Sequence, residues 1–96
     1  MIFMTNKNKQ IEQAAREEFS MISANLADSN FDSNRRQSYV DMGIEYWKWF
    51  DTIAKLEARF GRDIAATADN KFKVETVDMA IDALFNAPEI TSIYRK

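Results

Sequence analysis

Asp28, Asn30, Asp32 and Asn34 stand at every second position of the stretch ADSNFDSN. Four oxygen-bearing side chains at that spacing are what a calcium-binding loop offers its ion. The rest of such a loop is missing. Ser33 occupies the position where the sharp turn needs glycine, and Tyr39 stands where the bidentate carboxylate belongs. The stretch therefore reads as a connector, because Asp, Ser and Asn side chains bond to nearby backbone and favour turns and caps. Asn34 with Gln37 has the form of a capping box for the helix that follows, and Asp32 or Ser33 offers another cap.

Composition narrows the remaining chemistry. The chain has no histidine and no cysteine, which removes the usual general base, the thiol nucleophile and the familiar zinc ligands. Its two glycines, Gly43 and Gly61, are too far apart to build a phosphate-cradling loop. Carboxylates such as Glu17, Glu18 and Asp51 are left as acid–base groups, without the paired spacing that would mark them for glycoside or metal-assisted chemistry. A protein without catalytic residues, cofactor or metal is expected.

Thirteen basic and fifteen acidic residues leave a net charge of −2, which gives no global attraction to nucleic acid or to an anionic membrane. No apolar run approaches the roughly 18 residues of a membrane span. The opening MIFM is too short for the core of a signal peptide. Lack of cysteine suits a reducing compartment, so a cytoplasmic location is the expectation.

Two glycines and one proline are too few for a turn-rich β architecture. The expected fold is all-α: one domain over 1–96, built as a small bundle of three main helices at about 7–27, 34–60 and 73–86. A short helical segment is expected near 62–69, and residues 1–6 are expected to form a flexible N-terminus. The first helix is read from Ile11, Ala15, Phe19, Ile22 and Leu26, which recur at steps of four, four, three and four. Gly61 is a favourable C-cap for the second helix. Val74, Val77, Ile81 and Leu84 mark the third, which Pro88 stops. The tail EITSIYRK is open between a docked helical turn and a strand.

The central helix carries most of the information, since it contains YWKWF at 46–50. On a wheel of about 100° per residue it shows two apolar faces. One holds Val40, Gly43, Ile44, Trp47, Phe50 and Ala54; the other holds Tyr39, Met42, Tyr46, Trp49, Ile53, Leu56 and Phe60. A single narrow strip is polar: Asp41, Glu45, Lys48, Thr52, Lys55 and Arg59. Such a helix must be covered on two sides. The other helices offer small residues such as Ala15, Ala80 and Ala83, so one face is expected to await another molecule. The face with Trp47 and Phe50 is expected in the core. Tyr39, Met42, Tyr46, Trp49, Ile53, Leu56 and Phe60 are expected to bind a protein partner or a second copy of the chain.

Two charged features allow other readings. Glu75, Asp78 and Asp82 line one edge of the third helix and could complement a basic partner surface. Arg35, Arg36, Lys48, Lys55, Arg59 and Arg62 form the alternative, a ridge for nucleic acid beside the aromatic rings. Glu45 can pair with Lys48, and Asp51 with Lys55, so an ion-paired solvated face is the plainer account. The function expected overall is a small non-enzymatic binding module that regulates or blocks a partner. Small acidic helical inhibitors of host enzymes carried by phage and mobile elements have this general character.

Overall fold

The computed structural model describes residues 6–64 and 73–87, and the chain is all-α. Helix α1 spans Asn6–Ser20, α2 Ser29–Asn34, α3 Tyr46–Phe60 and α4 Val77–Asn86, with a 3-10 turn at Ala24–Leu26. The expected flexible N-terminus up to residue 5, most of the 62–69 segment, Pro88 and the tail lie outside the described residues.

Helix α1 forms where its apolar period demands. Ile11, Ala14, Ala15 and Phe19 share one fully buried face. It ends at Ser20 rather than near 27. Its last turn tightens through Met21 N–H to the Glu18 carbonyl (3.3 Å) and Ile22 N–H to the Phe19 carbonyl (3.1 Å). Ser23 then adopts an extended backbone, and its hydroxyl accepts from the N–H of Asn25 to cap the 3-10 turn. Leu26 on that turn is still fully buried. The apolar spacing thus continues through a break in the helix, which is why periodicity alone runs the two together.

The ADSNFDSN connector contains a helix of its own. Asp28 takes a left-handed φ of 52°, and α2 follows directly. Poor helix formers are held here by Phe31, which is buried, and by two amides. Asn30 donates to the Ala24 carbonyl (3.2 Å) and Asn34 to the Asn25 carbonyl (2.8 Å). Asn34 is the last residue of α2 and not the first cap of a longer helix, so the Asn34–Gln37 capping box does not form.

The expected helix over 34–60 is shortened to Tyr46–Phe60. Ser38 accepts the N–H of Val40 on its hydroxyl, and the N–H groups of Met42 and Ile44 both turn back to the Tyr39 carbonyl. Gly43 closes this turn at φ +71°, a conformation costly for any residue with a Cβ. These local bonds satisfy the backbone without a helix, and α3 starts only after Glu45. Its other end matches the expectation. Gly61 is left-handed, its N–H reaches the Ala58 carbonyl, and Arg62 N–H reaches the Glu57 carbonyl, which together make a Schellman cap. Helix α4 begins at Val77 rather than 73, where the Thr76 hydroxyl accepts from Met79 N–H.

Residues from α1, the 38–45 turn and the entry to α4 converge on Trp49. Its ring lies 4.7 Å from Phe19 and is stacked on Tyr39 at 5.1 Å between centroids. Its indole N–H donates to the Val74 carbonyl at 2.8 Å. One side chain thereby joins α1, the 38–45 turn and the entry to α4. Ile53, Leu56, Ile64, Val77, Ala80 and Leu84 complete the buried cluster with it. Buried polar groups within it are satisfied. Thr52 donates to the Lys48 carbonyl, Glu57 accepts from Ile64 N–H, and Arg62 donates to the carbonyls of Phe85 and Ala87.

Candidate protein-binding site

The two faces of α3 are treated differently, and the assignment expected from the wheel is reversed for Trp47 and Trp49. Trp49, Ile53 and Leu56 have no exposed surface, and Tyr39 and Met42 are buried with them. None of these five is available to a partner. Phe60 is half-buried and borders a cleft of about 540 Å³ with Lys9, Gln10, Gln13 and Arg59. From the expected partner face only Tyr46 is well exposed, at 58%.

The face expected in the core is split: Ile44 is buried and Phe50 packs half-buried against the core, whereas Val40 and Trp47 lie outside. Trp47 is 59% exposed and Val40 63%, Ala54 and Ala58 are exposed, and Phe50 is half-buried. At about 100° per residue, Trp47, Ala54 and Ala58 sit roughly 130–170° from the line through Trp49, Ile53 and Leu56. The reason for the choice is size. The Trp49 face keeps large side chains at Ile53, Leu56 and Phe60 for the whole helix, whereas the Trp47 face declines to alanine after Phe50. Burial of the larger face removes more apolar area from water. That decline was the readable signal, and it would have placed Trp47 on the surface.

Trp47 is held in position although it is exposed. Its indole N–H donates to Glu45 Oε2 at 3.1 Å, and Glu45 Oε1 lies 3.7 Å from Lys48 Nζ. The same ammonium stands 5.6 Å from the centre of the Trp47 ring. Three consecutive contacts therefore fix the orientation of a large aromatic surface at the start of α3. Beside it, Tyr46 meets Phe50 edge-on at 5.1 Å, and Phe50 meets Tyr39 at 5.7 Å, linking the surface rings to the core. Asp51 and Lys55 pair at 3.4 Å along one edge of the outward face.

The basic ridge is divided: Lys48, Lys55 and Arg59 stay at the surface along α3, while Arg35 and Arg62 are drawn into the fold. Arg35 is turned into the fold, where its guanidinium meets both oxygens of Glu12 (2.7 and 2.8 Å) and bonds Asp78 and Asp32. Those bonds, Glu12 first, raise its pKa further above the ordinary arginine range. Arg62 is buried against the end of α4. Arg59 pairs with Glu17 (3.0 Å) and Glu18 (3.6 Å), while Lys48 and Lys55 are answered by Glu45 and Asp51. Arg36 is highly exposed and lies 3.7 Å from Asp78. The acidic strip is likewise divided: Asp78 serves Arg35 and Arg36, Asp82 accepts from Asn86, and Glu75 is exposed. Asp32, one of the calcium-like set, bonds Arg16, which holds its carboxyl below the usual range.

Among the described residues, no group of three or more carboxylates is arranged to hold a metal ion, and no helix is long and apolar enough to cross a membrane. Comparison of the chain with protein-family models, curated proteins and solved structures gives no match.

Proposed function

We propose that this chain is a protein–protein interaction module without catalysis of its own, and that it docks through the outward face of α3. The observation that carries the reading is Trp47, exposed yet fixed by Glu45 and Lys48. An aromatic anchor oriented before binding loses little conformational freedom when a partner covers it. Tyr46 beside it in sequence and Ala54 and Ala58 further along α3 supply further exposed apolar surface. Tryptophan and tyrosine are the residue types that most often dominate binding energy. Occupation of a partner's surface by this face would regulate or block that partner. The internal pairing of the basic residues supports a protein partner over nucleic acid, because few positive charges remain to neutralise phosphates.

The test is Trp47→Glu. The variant keeps its helical circular dichroism and most of its stability, since Trp47 is mostly exposed. The tagged wild-type chain retains a protein, either a different one from native extract or an untagged copy of itself, and the variant loses at least tenfold of that retention. Equal retention by both chains removes the reading.

A further inference from the structure

We infer that the occupant of this face is a second copy of the chain, with the two α3 helices packed antiparallel about a twofold axis at the level of Ile53. This deepens the interaction reading above and rests on it. A twofold interface must be self-complementary, the same patch meeting itself in reverse order. The outward face of α3 has that property. Its bulky half is at the start, with exposed Trp47 and, at the margin, half-buried Phe50, and its small half follows with Ala54 and Ala58.

An axis perpendicular to α3 at Ile53 sends residue 51 to the level of 55, and brings residue 47 close to the level of 58. Trp47 of each copy then lies over Ala58 of the other, which is small and exposed. Phe50 falls beside Ala54 and Ala58 of the second copy. The same axis keeps each edge of the face on the same side in both copies. Asp51 and Lys55 share one edge, a single turn apart and both about half exposed. Reversal places Asp51 of each copy opposite Lys55 of the other, so two cross-pairs form at the register that seats the rings. A parallel pair fails on both counts. It would set Trp47 against Trp47, and it would turn the Asp51–Lys55 edge onto the Tyr46–Phe50 edge of the other copy.

The patch is small. A 15-residue helix is about 22 Å long, and one such face covers roughly 400–500 Å² per copy, below the approximately 800 Å² of a standard interface. The association is therefore reversible and depends on concentration.

Sedimentation of the intact chain over a concentration series tests this. The average mass should rise toward twice that of one copy, and Trp47→Glu should hold it at one copy. Register and direction are tested by exchange of charge. Asp51→Lys alone brings lysine against lysine across the axis, and Lys55→Asp alone brings aspartate against aspartate, so each variant stays monomeric by itself. A mixture of the two restores opposite charges at both cross-pairs and recovers the dimer. Both positions are solvent-exposed, and circular dichroism confirms that each variant is folded. A wild-type chain that remains monomeric at several hundred micromolar overturns the inference. So does a mixture that associates no better than either variant alone. If the chain is monomeric while a different protein is retained through Trp47, the interaction reading stands and only the second copy is wrong. If neither occurs, both fall.

Discussion

Trp47 and Trp49 are two residues apart on one helix, and they differ in everything that helical geometry controls. Trp49 has no exposed surface, two aromatic neighbours and a hydrogen-bonded indole N–H. Trp47 stands in solvent with Glu45 and Lys48 as its company. Truncation should separate them sharply. Trp49→Ala opens a cavity between α1, α3 and the entry to α4 and leaves the Val74 carbonyl without its donor, at a cost of about 3–5 kcal/mol. Trp47→Ala should change stability by no more than about 0.5 kcal/mol. Urea unfolding of the two variants measures both. That the YWKWF rings point to opposite sides was legible from a period of 3.6 residues. Which side faces inward was not, because each face carries large rings at this point and the choice rests on how the rest of the fold covers them.

At the scale of elements, the ends of α3 show what local sequence decides and what it leaves open. Gly61 adopts φ +61°, and a Cβ placed there would meet nothing within 4 Å. Gly61→Ala therefore costs only the backbone strain of a left-handed alanine, about 1 kcal/mol, visible as a lowered thermal midpoint. This cap was legible because glycine is the one residue type that ends a helix this way without strain. The start of α3 was not. Residues Ser38–Ile44 have apolar spacing compatible with a helix, and two conditions override it. Ser38 and Gly43 favour a turn locally, and Tyr39 is drawn into the core, where its N–H bonds the Glu75 carbonyl and its ring stacks on Trp49. The second condition depends on residues 36 positions away and has no local signature.

Across the whole molecule, Arg35 connects α1 through Glu12, α2 through Asp32 and α4 through Asp78. Its backbone carbonyl also accepts from Asp78 N–H at 3.0 Å. Both Arg35 and Arg16 lie over the ring of buried Phe31, at 5.3 and 4.7 Å from its centre. Arg35→Ala should destabilise the fold by about 1–3 kcal/mol at neutral pH, since it strips charge-assisted hydrogen bonds from three helices at once. The pH dependence has a definite sign. Asp32 has a folded pKa below its ordinary value, chiefly through the Arg16 bond. Its contribution is complete above the unfolded pKa near 4 and is lost as pH falls through the lower folded pKa. Arg16→Ala should raise the Asp32 pKa and make the loss of stability below pH 4 less steep. A carbon-detected titration of Asp32 and urea unfolding across that range test the two parts. Arg35 itself stays charged throughout that range, because its pKa is raised from a value already far above the window.

Much of this protein follows from its sequence alone. Scarce glycine and proline, the 3.6-residue period and the Gly61 cap determine an all-α chain whose central helix is apolar on two sides. Absent histidine and cysteine narrow its chemistry before any fold is known. These are properties of single residues and of neighbours within one or two turns, so they can be read in one dimension. Tertiary structure alone decided the rest. It chose the Trp49 face for the core and left Trp47 outside, turned Arg35 and Arg62 from a surface ridge into internal ties, and broke the long helices at Ser20 and before Tyr46. Each of these outcomes is a competition for limited buried space among segments distant in sequence. The winner depends on which combination removes the most apolar area from water while every buried polar group keeps a partner.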